Sequence, residues 1–175
     1  MITIDWIEFL RSADFGGLRL GMLGQEVRGL LGKEEDVSRS KHPLILLYGR
    51  LQVALDENRV VSFTTYFRDR RRQIWKEVRV KGWKVTPRTS IEDFQEALTK
   101  HRIIATVDPH WNHESAVGFR LESGVSACFR REGRNSSLEG IGLYDQRYLA
   151  GRAQERVSEL EQIVAVVKKS LKKKN

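Results

Sequence analysis

The sequence predicts an α+β fold: two related strand–helix–three-strand units sharing antiparallel sheet, closed by a long C-terminal amphipathic helix. Three observations predict it. A Gly-led strand-and-helix pattern occurs twice, at Gly17–Gly32 and Gly82–Lys100. Each copy is followed by runs of alternating apolar residues broken by turn residues. The end of the chain carries a regular a/d seam. A length of 175 residues with 40% hydrophobic content allows one compact domain with a buried core.

The elements follow in order. Residues 1–14 are expected to hold a short helix, Asp5 to Ser12, with Trp6, Phe9 and Leu10 turned inward and Thr3 as its cap. Residues 15–67 form the first unit. Leu18-Arg19-Leu20 reads as a short strand that turns at Gly21. Val27, Leu30 and Leu31, at i, i+3 and i+4, mark a helix that stops at Gly32. Three strands follow in "LILLYGRLQVALDENRVVSFTTYF". Leu51, Val53 and Leu55 alternate, "DEN" makes the turn, and Val61, Phe63, Thr65 and Phe67 alternate again. Residues 68–80 connect the units.

Residues 81–147 repeat the plan. Trp83-Lys84-Val85 reads as the opening strand, with Trp83 and Val85 directed into the core, and Pro87 as its turn. Ser90-x-x-Asp93 is a capping box with Asp in place of Glu, and Phe94, Ala97 and Leu98 form the apolar face of the helix it opens. Val117–Leu121, the turn "ESG", the alternation of Val125, Ala127 and Phe129, the loop "REGRNSS" and the strand Leu138 to Leu143 complete the unit. Residues 148–175 form the closing helix. Ala153, Val157, Leu160, Val164, Val167 and Leu171 are spaced 4-3-4-3-4, and lysines fill the last turn, where the helix dipole favours cations. The seam suits a helix laid across the sheet, or a helical contact with a partner or with a second copy that would make a homodimer.

Charge is unevenly placed. The net charge is +8. Between Arg68 and Arg88 nine basic residues face two acidic ones, a net of +7, and the tail "KKSLKKKN" adds five lysines. The rest of the chain is therefore acidic by four charges. Such a body is not coated for nucleic acid over its whole surface, but the basic segment can steer an acidic partner. Arg70, Arg71 and Arg72 stand in succession, and adjacent guanidinium groups repel by order 1 kcal/mol per pair in water. That repulsion calls for nearby carboxylates or a partner. Arg68, Arg70, Arg71, Arg72, Trp75, Lys76 and Arg79 are thus the expected partner-binding residues, with Trp75 as anchor. The same residue types serve phosphate contact and base stacking, so a nucleic-acid partner stays open.

The chemistry of catalysis is thin. No GxSxG, HExxH, Walker or GxGxxG pattern occurs. His110 and His113 in "HWNHE" have a metal-ligand spacing, yet Pro109 and Asn112 suggest a solvated loop, and they stay weak metal candidates. Cys128 alternates with Ala127 and Phe129, has no base beside it in sequence, and reads as structural. A lone cysteine excludes an internal disulfide framework and fits a reducing, cytoplasmic compartment. Asp5 and Glu8 interrupt the apolar run that a signal peptide needs, and no apolar stretch approaches the roughly 18 residues of a membrane span. No cofactor is implied.

Leu18, Gly21, Met22, Val27, Leu31 and Gly32, followed by Tyr48, Gly49 and Leu51, form a pattern. It resembles small bacterial proteins with a G-M-x4-V-x3-L-G helix motif and a following β-hairpin, a helix-plus-meander look similar to BamE-like modules. The resemblance covers residues 15–67 and departs at Glu34 and Glu35, where a proline is usual. Some proteins of this look resemble immunity proteins for toxins. The resemblance therefore implies a non-enzymatic, protein-binding role, that of an immunity protein for a toxin domain, and carries over no active-site residue; the basic segment adds the expectation that the partner is acidic.

Overall fold

Asp5 closes one element and opens the next. It ends the first strand, β1 (Ile2–Asp5), and caps the first helix, α1 (Trp6–Ser12). Its Oδ1 accepts the Ile7 N–H at 3.0 Å and the Glu8 N–H at 3.2 Å, two donors that the helix itself cannot satisfy. The cap expected at Thr3 is thus displaced, and Thr3 is a strand residue. The cause lies far away in sequence. β1 runs parallel to β6 (Val78–Lys81), with Ile2 opposite Val78 and Asp5 opposite Lys81. Ile2 and Ile4 fall on the buried side of this pair.

The structure, a computed structural model, describes residues 2–40, 42–67, 78–132 and 135–154. The chain divides into two units, Met1–Tyr144 and Asp145–Asn175. In the second unit the described residues form one helical stretch, 146–154, opened by Asp145, whose Oδ1 accepts the Arg147 N–H at 2.8 Å.

The first unit holds α2 (Gly24–Leu31), β2 (Asp36–Val37), β3 (Leu44–Tyr48), β4 (Leu51–Asp56) and β5 (Arg59–Tyr66). After β6 come α3 (Ile91–Lys100), β7 (Ala105–His113), β8 (Ala116–Leu121), β9 (Val125–Glu132) and β10 (Asn135–Tyr144). Eight strands form one antiparallel sheet in the order β2-β3-β4-β5-β10-β9-β8-β7. Tight turns explain the meanders. Glu57 and Asn58 both take positive φ, the two-residue turn whose twist matches its flanking strands.

This architecture corrects the fold expectation. The described fold is mostly β rather than two strand–helix–three-strand units, and it has no long C-terminal helix among the described residues. Of the seam, Ala153 lies in the stretch 146–154, while Val157, Leu160, Val164, Val167 and Leu171 lie outside the described residues, as does any dimer contact they would make. Neither expected opening strand forms. Leu18 only bridges to Phe15, and residues 82–85 are irregular. Three alternating residues are too few to make a strand without a neighbour to pair with.

Packing follows the helix faces. Trp6 and Phe9 on α1 meet Phe15, Phe63 and Phe67 in one aromatic cluster, with Trp6 and Phe15 edge-on at 5.9 Å. Phe94 on α3 meets Phe119 and Phe129 in another, at 5.9 and 5.3 Å. Each ring fully removed from water contributes about 1.5–3 kcal/mol before entropy is counted. The capping box holds α3 in place: Ser90 Oγ accepts the Asp93 N–H at 3.1 Å and Asp93 Oδ2 accepts the Ser90 N–H at 3.0 Å. Ile91 N–H donates to Ser136 Oγ at 2.9 Å and ties the helix start to β10. On the opposite side of β9, Cys128 is half-buried, away from Ala127 and Phe129.

A cleft at the end of the parallel pair

Parallel strands leave a crevice where their chains depart in different directions. β1 passes directly into α1, while β6 passes through residues 82–89 before α3. Between them opens a cleft of about 880 Å³. Asp5 and Gly82 mark the strand ends at its base. Ile7, Ala97 and Trp83 give it apolar lining. Trp83 is half-buried, its ring 6.1 Å from that of Phe94 and tilted by 36°. Gly82 is required there. Its φ is +74°, and a Cβ would stand 2.9 Å from Asp5 Oδ2.

The rim is charged, and its acids and bases differ in what they already hold. Asp5 caps α1, and Asp93 accepts the Ser90 N–H. Glu8 pairs with Arg11 at 3.2 Å, both about half exposed, a contact worth little in water. Arg11 Nη2 also reaches the His101 carbonyl at 3.5 Å, linking the ends of α1 and α3. Lys84, Arg88 and Lys100 have no side-chain hydrogen bond or ion pair among the described residues. Neither does Glu96. Arg79 and Lys81 stand exposed on β6, immediately before the cleft wall. The unused hydrogen-bonding capacity is thus mainly cationic.

The loop hydroxyls are occupied with the loop itself. Thr89 Oγ1 accepts the Thr86 N–H at 3.0 Å, and Thr86 Oγ1 accepts the Arg88 N–H at 3.1 Å. Among the described residues, no hydroxyl of the cleft is hydrogen-bonded to a carboxylate or an imidazole. What the cleft offers is charge recognition beside an apolar floor.

The sequence-predicted residues fall as follows. Arg79 is on β6, at the approach to the cleft. Arg68, Arg70, Arg71, Arg72, Trp75 and Lys76 lie outside the described residues. His113 ends β7, a strand rather than the expected loop; the pairing with β8 carries Pro109 and Asn112 through a register shift between Asp108 and His113. The His110 side chain lies outside the described atoms. No group of three metal-ligating side chains occurs among the described residues. No helix among the described residues is long and apolar enough to cross a membrane. Sequence reasoning missed Asp5, Glu8, Glu96 and Lys100 as cleft residues. The one local signal was the mixed charge of the solvent faces of α1 and α3; the pairing of β1 with β6 brings them together.

No family model matches the chain, and no curated protein or solved structure is matched by it.

Proposed function

We propose that the protein is a binding protein that captures an acidic protein partner through the cleft and the basic approach of β6. The observation that carries this reading is the imbalance of the rim. Asp5, Glu8 and Asp93 are held by the protein's own groups, while Lys84, Arg88 and Lys100 hold none among the described residues. Cations without internal partners on a surface with an aromatic floor favour a partner that brings carboxylates. In the finer reading the partner is a toxin domain, and the protein is a cytoplasmic immunity protein that neutralises it. Support for that comes from the motif of Gly21, Met22, Val27, Leu31 and Gly32 and from the basic segment.

The test is direct. The protein is titrated calorimetrically with the product of the adjacent reading frame and, separately, with duplex and single-stranded nucleic acid. Saturable 1:1 binding of the protein partner, weakened about tenfold or more by Lys84→Glu with Arg88→Glu, supports the reading. Tight nucleic-acid binding with a steep salt slope and no protein complex refutes it.

A further inference from the structure

We propose that the free edge of β6 is the docking strand: an extended acidic segment of the partner adds alongside Val78–Lys81, sets its carboxylates on Arg79 and Lys81, and runs on toward Lys84 and Arg88. This inference rests on the reading of the protein as a binder of an acidic partner.

β6 has β1 on one side. Among the described residues, no backbone hydrogen bond joins Val78–Lys81 to anything but β1. The far side of β1 is different. Gly16 approaches it so closely that a Cβ there would lie 3.1 Å from the Thr3 carbonyl. Among the described residues, the open edge of the pair therefore belongs to β6. An open edge presents a row of N–H and C=O groups that another strand can complete.

The side chains select what that strand can be. Val78 and Val80 are half-buried against the core, while Arg79 and Lys81 are exposed. Neither cation has a side-chain partner among the described residues. A second copy of β6 would bring its own Arg79 and Lys81 against them, and like charges across a strand pair destabilise it. A strand with carboxylates at every other position meets both cations on one face and keeps its other side chains beside Val78 and Val80. The charges that bar self-pairing thus admit an acidic strand. Gly82 and Lys84 follow Lys81 directly, so the added segment leads into the cleft.

The probe is an acetylated, amidated heptapeptide of alternating Glu and Val, compared with the same peptide N-methylated at alternate backbone nitrogens. The N-methylated form keeps the charge and loses the ladder donors. The full chain is expected to bind the first peptide, to show slowed amide exchange at Val78–Lys81, and to lose about tenfold or more in affinity for the second. Equal binding of the two peptides, no binding of either, or saturation without slowed exchange at Val78–Lys81 overturns strand addition. The acidic-partner reading falls separately, if Lys84→Glu with Arg88→Glu leaves the protein complex unchanged.

Discussion

Arg120 holds Asp108 on the neighbouring strand through two nitrogens, Nε at 3.1 Å and Nη2 at 2.7 Å, both on one carboxylate oxygen. The Asp108 side chain is 1% exposed, although β7 is the outermost strand of the sheet. Arg120→Met leaves a buried carboxylate without this cation and is expected to cost about 2 kcal/mol. Adding Asp108→Asn should recover part of that loss. Urea unfolding of the single and double variants checks it, and strictly additive costs would show that the two groups are not coupled.

Glu34 supplies a pH dependence. Hydrogen bonds from Arg28, Nε at 3.0 Å and Nη2 at 2.9 Å, hold its carboxyl below the ordinary glutamate range against the opposing effect of partial burial. A depressed native pKa means the native state binds its proton less readily than the unfolded chain. The contribution is therefore full above the ordinary value, about 4.3, and is lost as the pH falls through the native value. Arg28 is 42% exposed, so the effect is small, about 0.5 kcal/mol. Glu34→Gln should be slightly less stable than the native protein at neutral pH and equal to it in acid. A gap that stays constant across the acid range would rule this out.

The tyrosines act at the other end of the scale. Thr64 Oγ1 donates to the Tyr144 hydroxyl at 2.9 Å, and burial pushes the phenols of Tyr66 and Tyr144 upward. A raised native pKa in an acid keeps the proton on the folded chain. Stability from this source is complete below about 10 and declines as the pH rises beyond it. Tyr144→Phe should flatten the alkaline limb of the stability curve, read by chemical unfolding at stepped pH.

Two glycines should resist substitution for different reasons. Gly82→Ala meets positive φ and the Asp5 carboxylate together, and should cost about 1–3 kcal/mol while disturbing the cap of α1. At Gly142 the obstacle is steric: a Cβ would press on Thr64 Oγ1, and would stand 2.6 Å from the Phe63 carbonyl. Gly142→Ala should cost about 2–3 kcal/mol by parting β10 from β5. Gly29→Ala, with open space around it, is the control and should be neutral or stabilising in the same melts.

Local features were legible in the sequence, and distant pairings were not. Ser90 and Asp93 announce their helix within four residues, and Phe94, Ala97 and Leu98 are its buried face. Leu51, Val53 and Leu55 declare a strand by their alternation. By contrast, Ile2-Thr3-Ile4 alternates too briefly to declare a strand alone, and what makes it one is its pairing with Val78–Lys81. Asp5 was visible as an acid near a helix start, but its place in a cleft depends on that same pairing. Trp83 was expected as a core strand residue; it instead packs on Phe94 from an irregular segment, because the chain has left β6 by then. The cleft was therefore only half readable: its basic wall is a run in the sequence, its acidic wall is a product of folding.

The seam between β5 and β10 sets a schedule for the nascent chain. β5 ends at Tyr66, yet the strand that completes its far side, β10, starts at Asn135. Until that strand is synthesised, the first meander waits with a raw flank that holds Phe63 and Thr65. A ribosome stalled midway would thus leave a half-sheet ready to stick to its neighbours. By chain order, the central seam is thus expected to close late in translation, after β10 has been made.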